Sequence, residues 1–197
     1  MTSARTEAPI SSLTSRDRHG RGLRIDFLRS GDRYAHRIVG IDGDGRTVGL
    51  MESIEDGLET AWPSSPALQE LNVEGVAMLI GMAGDGHWSL SVEPLPGGGA
   101  PGLVFDVACR VKSLPANLTS TYRVAELVKI AVSSSSLRLA THTGEYHVQS
   151  ACVDNAAVAD SCQLLLGKNI LKLACDSKLP DSPPATLRWR YVVRLVV

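Results

Sequence analysis

The stretch Leu187-Arg188-Trp189-Arg190-Tyr191-Val192-Val193-Arg194-Leu195-Val196-Val197 decides the fold class. Leu187, Trp189, Tyr191, Val193, Leu195 and Val197 share one parity, and Arg188, Arg190 and Arg194 fall on the other. Strand side chains alternate between two faces, whereas a helix would scatter these six apolar residues around its axis. The segment therefore reads as a long strand with one apolar and one basic face. Such a strand is ordered only if a neighbour pairs with it.

The same alternation recurs upstream. In Leu23-Arg24-Ile25-Asp26-Phe27 the odd positions are apolar, and Ser30-Gly31-Asp32 reads as a turn. Tyr34, His36 and Ile38 then share a face, Asp42-Gly43-Asp44-Gly45 turns the chain, and Val48, Leu50 and Ile54 suggest a return strand. Gly and Asp accept positive φ cheaply, so residues 23–55 read as a three-strand meander. Residues 76–82 form a continuous apolar run, the pattern of a strand buried on both faces. Trp88, Leu90 and Val92 alternate with Ser89, Ser91 and Glu93, and Leu103, Phe105, Val107, Cys109 and Val111 line a further strand. Leu137 and Leu139, then Tyr146 and Val148, suggest a hairpin turning at Thr143-Gly144.

Two segments break the pattern. Trp62-Pro63-Ser64-Ser65-Pro66 is unfit for a central strand, and Ser65 before Pro66 suits the start of a short helix reaching Leu71. A helix capped by Asp154 and ending at Gly167 competes with a hairpin around Gly167-Lys168-Asn169, and the hairpin is the preferred reading. The sum is a mainly β protein: an antiparallel β-sandwich or β-barrel of roughly ten strands, with one or two short helices. No helices alternate with the strands, which argues against a doubly wound parallel sheet.

A chain of 197 residues suits one domain. Residues 1–21, rich in Ser, Thr and Arg, read as a disordered N-terminal tail, and residues 22–197 as a single β-rich domain. Lys and Arg number 20 against 21 Asp and Glu, so the footprint of a nucleic-acid binder or a polybasic membrane protein is missing. The apolar run at 76–82 is far short of the ~20 residues of a spanning helix. The start lacks the apolar block of a secretory signal, and a cytoplasmic location is expected. The cysteines are Cys109, Cys152, Cys162 and Cys175, with no CxxC pair. In a reducing compartment they read as buried free thiols; export would reopen a disulfide reading.

Candidate sites come with competing bland readings. With a turn at Thr143-Gly144, His142 faces Glu145 and His147 lies on the same face, a donor set for zinc or iron. The rival is a solvated face with Arg138 repelling a cation. Asp42, Asp44 and Gly45 resemble the start of a calcium loop, but Ser53 stands where the last acidic ligand belongs, so a hairpin turn is the reading. His87 and Ser89 share a strand face ~6.6 Å apart, too far for a base and its nucleophile, and no G-x-S-x-G elbow exists. Gly97-Gly98-Gly99 lacks the Lys of a phosphate loop. Trp88 and Trp189 are in phase with apolar faces, whereas Trp62 sits in a Pro-rich loop and suits an interaction. Arg188, Arg190 and Arg194 form either an anion-binding row or a solvated, aggregation-guarding face. The ligand-binding candidates are thus Trp62, His87, Trp88, Arg188 and Arg190, and the metal candidates His142, Glu145 and His147. No cofactor and no catalytic residue is assignable.

A non-catalytic domain binding a small molecule or protein partner is the leading expectation. The alternatives are a metal-assisted hydrolase using His142, Glu145 and His147, and a homo-oligomer whose long terminal strand pairs between subunits.

Overall fold

The terminal strand lies in the middle of a sheet, paired on both flanks. In the computed structural model, which describes residues 8–56, 62–96, 99–126, 128–132, 136–151, 162–176 and 182–196, fifteen strands account for the regular structure. They are β1 (Ser11–Arg16), β2 (Gly22–Ser30), β3 (Arg33–Ile41), β4 (Thr47–Ser53), β5 (Glu70–Val73), β6 (Ala77–Ala83), β7 (Gly86–Pro94) and β8 (Gly102–Val111). After these come β9 (Thr119–Val124), β10 (Lys129–Val132), β11 (Ser136–Thr141), β12 (Gly144–Ser150), β13 (Cys162–Gly167), β14 (Ile170–Cys175) and β15 (Ala185–Val196). A seven-stranded sheet runs β1-β2-β3-β4-β9-β14-β13, and an eight-stranded sheet runs β10-β11-β12-β15-β8-β7-β6-β5. All the pairings are antiparallel, and the two sheets pack as a sandwich.

The alternation of β15 is used as its sequence implies. Leu187, Trp189, Tyr191, Val193 and Leu195 are buried between the sheets, and Trp189 meets Trp88 edge-on at 6.2 Å. Phe105 stacks on Tyr191 at 4.7 Å, and Leu23, Ile25 and Phe27 of β2 close the core from the other sheet. On one flank β8 pairs with β15 from Ala185 to Arg194, and on the other β12 pairs with it from Tyr191 to Val196, so the strand is ordered by neighbours in its own chain.

Other expectations change. The stretch read as a tail contains β1: Ser11 lies opposite Phe27, Leu13 is buried, and Ser12 Oγ donates to Asp26 at 2.7 Å. An edge strand needs few inward apolar residues when a neighbour supplies its ladder bonds, so composition alone missed it. The helix expected from Ser65 to Leu71 is absent, and no helix occurs among the described residues. That segment runs extended because its backbone is claimed elsewhere. Tyr34 N–H donates to Leu68 O, Gln69 N–H donates to Ile80 O, and the Thr119 and Thr121 hydroxyls donate to Ser64 O. The hairpin β13–β14 forms as read, with Lys168 at φ 53° in its turn. Residues 152–161, including Cys152 and the proposed cap Asp154, lie outside the described residues. The apolar run at 76–82 is not buried on both faces: Ala77, Leu79 and Ala83 are buried, whereas Met78, Ile80 and Met82 are exposed. No helix among the described residues is long and apolar enough to cross a membrane.

Candidate binding groove

The register of β6, β7, β8 and β15 sets the outer face of the eight-stranded sheet rung by rung. One rung is Met82, His87, Arg110 and Thr186; the next is Ile80, Ser89, Ala108 and Arg188; the third is Met78, Ser91, Asp106 and Arg190. Long apolar side chains therefore stand in one lane on β6, beside a lane of small residues on β7 and β8. The low floor at Ser89 and Ala108 leaves a groove of about 500 Å³ walled by Ile80, Met82, His87 and Arg110. A second depression of about 360 Å³ shares Ser89, Ala108 and Thr186 and extends toward Met78, Ser91 and Arg188.

Local sequence explains why the rim holds. A Cβ on Gly81 would stand 2.1 Å from Ala67 O, so only glycine lets the 62–69 segment cross against β6 and feed β5. Gln69 then clamps the rim, its Oε1 accepting the Met82 N–H at 3.1 Å.

The charges on this face are unevenly compensated. Arg188 pairs with Asp106 at 2.6 Å and Arg190 with Glu93 at 3.3 Å. Arg110 and His87, neighbours across β7 and β8, make no ion pair among the described residues. Glu70 lines the opposite side of the groove on β5. Its backbone lies three strand spacings from that of Arg110, ~14 Å, and the two form no ion pair among the described residues.

The residues singled out from sequence divide. His87 and Arg188 are on this face, and Arg190 lies at its margin. Trp88 points inward, is buried against Trp189 and meets the groove from below. Trp62 is half-buried and packs against the core by Gly86, away from the groove. Met78, Ile80 and Met82 were missed as site residues. Their signal was the split between short residues at 77, 81 and 83 and long ones at 78, 80 and 82.

The metal candidates are placed differently from expectation. The β11–β12 turn is His142-Thr143, with Thr141 opposite Gly144 and Ala140 opposite Glu145. This one-residue slip moves His142 off the shared face and leaves it exposed in the turn. Glu145 is ion-paired with Arg138, which holds its carboxyl below the usual range, and His147 Nε2 is 3.4 Å from Glu145 Oε1. No group of three His, Cys, Asp or Glu among the described residues is arranged to hold a metal.

A buried polar chain lies between the sheets. His36 Nε2 hydrogen-bonds Tyr122 OH at 2.7 Å, and Tyr122 OH bonds Tyr191 OH at 2.5 Å. The His36 N–H donates to Ser53 Oγ at 2.9 Å, and that hydroxyl donates to Glu55 Oε1 at 2.8 Å. Burial pushes the His36 imidazole down to about 4 and the Glu55 carboxyl up to about 7. Glu55 Oε2 and His36 Nδ1 are buried without a hydrogen-bond partner among the described residues. Phe27 and Phe105 flank the imidazole, which places this chain inside the packed core, away from the outer groove.

No protein-family model, no curated protein and no solved structure matches this chain.

Proposed function

We propose that this chain is a non-catalytic ligand-binding β-sandwich whose outer groove takes a small amphipathic anion. The observation that carries the reading is the pairing of an exposed apolar lane with a cation, Arg110, that makes no ion pair among the described residues. Met78, Ile80 and Met82 are 49%, 49% and 56% exposed in one row, and Arg110 stands across the small-residue floor from them. An apolar body lying on β6 would be desolvated at ~25 cal/mol per Å² buried. An anionic head would meet Arg110, with His87 beside it, in charge-assisted hydrogen bonds.

Size favours a small molecule over a protein. The groove volume falls in the ~300–1,000 Å³ range of ligand sites. Three half-exposed side chains bounded by charged residues fall well short of the ~800 Å² per partner of a standard protein interface. The His87–Ser89 spacing along one strand supports a binding rather than a catalytic role. The reading includes a cytoplasmic location without nucleic-acid or membrane partners, supported by the near balance of 20 basic and 21 acidic residues.

The test is a fluorescence titration with 8-anilinonaphthalene-1-sulfonate, whose rings and sulfonate match the two halves of the groove. One saturable site is expected. Ile80→Asp should weaken it at least ~10-fold, the equivalent of ~1.4 kcal/mol, and Arg110→Ala by several-fold. Both side chains are exposed, so both variants should keep the wild-type thermal transition. No binding, or equal binding by folded Ile80→Asp, would refute the reading.

A further inference from the structure

The β13–β14 hairpin places two thiols in direct register at its open end. Pairing runs without a bulge from Gly167 opposite Ile170 to Cys162 opposite Cys175. Residues flanking a two-residue turn form a hydrogen-bonded pair, and pair types alternate away from it. Counting from Gly167–Ile170, the Cys162–Cys175 pair is of the non-hydrogen-bonded kind. The amides agree: Cys175 N–H donates to Leu118 O on the opposite flank, and Cys162 N–H donates to Ser150 Oγ.

Such pairs hold their Cα atoms ~4.5 Å apart, inside the ~4.4–6.8 Å that a disulfide spans. The side chains also point the same way. Cys162 Sγ lies 3.6 Å from Arg190 O and Cys175 Sγ 3.4 Å from Arg188 O, neighbouring carbonyls of β15. Cys109 belongs to β8 in the facing sheet and is fully buried, so a reagent in solvent does not reach it.

We propose that Cys162 and Cys175 are a thiol-oxidation site, forming a cross-strand disulfide by exchange with a low-molecular-weight disulfide of the glutathione type. Both thiols are free in the structure. Cys175 is half-buried and meets the reagent first, whereas burial pushes the Cys162 thiol up to about 11. The Cys175 thiolate attacks one sulfur of the reagent, forming a mixed disulfide and expelling one small thiolate. Cys162, losing its proton, then attacks Cys175 Sγ and expels the second. The two protein sulfurs are oxidised, the reagent's disulfide is reduced to two thiols, and the two protons end on them. The bond ties β13, which ends the seven-stranded sheet among the described residues, to its neighbour β14. This inference is independent of the groove.

The experiment incubates the folded wild-type protein with oxidised glutathione, alkylates it, and digests it with trypsin and Asp-N without reduction. Cleavage before Asp154, Asp160 and Asp176 and after Lys168 and Lys172 separates all three nearby cysteines. The expected product is peptide 160–168 joined to 173–175, with Cys109 and Cys152 alkylated. Thiol titration in denaturant should fall from four per chain to two. The oxidised wild type should melt at a higher temperature than the reduced form, and Cys175→Ser should show no such difference. Persistence of four thiols, or Cys162 joined to Cys152 or Cys109, would overturn the proposal.

Discussion

Replacing Glu55 with Gln should change how stability depends on pH. Burial drives the Glu55 carboxyl from its usual value of 4.5 to about 7 in the folded protein. Between those two values the folded state keeps a proton that the unfolded chain has released. The folded state then binds more protons, so stability contributed by this group falls as pH rises through the window and is lost above about 7. At ~1.36 kcal/mol per unit, the shift corresponds to about 3 kcal/mol. His36 acts in the opposite sense, because its folded value of about 4 lies below its usual 6.5. There the unfolded chain binds the extra proton, and stability rises with pH across that window by a similar ~3 kcal/mol. In the wild type these two slopes oppose one another over the range they share. Gln keeps a carbonyl for the Ser53 hydroxyl and removes only the titration. The difference in unfolding free energy, Glu55→Gln minus wild type, should therefore grow by about 3 kcal/mol from pH 4.5 to pH 7.5. Urea denaturation followed by fluorescence of the buried Trp88 and Trp189, at half-unit pH steps and constant ionic strength, measures it. Parallel curves for the two proteins would refute the reasoning.

Three further outcomes are expected. Tyr122→Phe removes the hydroxyl shared by His36 and Tyr191, leaving His36 Nε2 buried and unpaired; urea denaturation should show a loss of ~1–3 kcal/mol. Gly81→Ala drives a methyl into Ala67 O and should cost ~2 kcal/mol or more, with faster proteolysis of the 62–69 segment as a local readout. His142→Ala should leave thermal stability within ~0.5 kcal/mol of wild type and should not alter the metal content of purified protein, since His142 is an exposed turn residue.

What was legible in the sequence was parity. Residues 187–196 carry one apolar and one basic parity, so both the strand and its orientation could be read directly. The 76–82 run is apolar on both parities, and hydropathy cannot say whether the second face is covered. Here Met78, Ile80 and Met82 are exposed among the described residues, and the groove's apolar lane was consequently taken for core. Placing the His142-Thr143 turn depended on a single residue, and a slip of one reverses every face beyond it. β1 went unread because Leu13 is its one buried apolar residue, with ladder bonds to β2 and the Ser12 and Ser15 hydroxyl bonds completing its anchorage. The Ser65-Pro66 start signal is real locally but yields to Thr121 and Tyr34, whose backbone and hydroxyl bonds to Ser64, Ser65 and Leu68 hold that segment extended. Arg110 was visible only as one of several basic residues. That it makes no ion pair among the described residues emerges when Asp106 is seen to pair with Arg188.

The most direct measurement is amide chemical-shift mapping of the isotope-labelled protein titrated with 8-anilinonaphthalene-1-sulfonate. If the outer groove is the binding site, the saturable shifts will concentrate at Ile80, Met82, His87, Ser89, Ala108 and Arg110, with β2, β3 and β9 of the other sheet unmoved. Shifts centred on Trp62, on the β11–β12 turn or on the buried His36–Tyr122–Tyr191 chain, with the outer face silent, would contradict it.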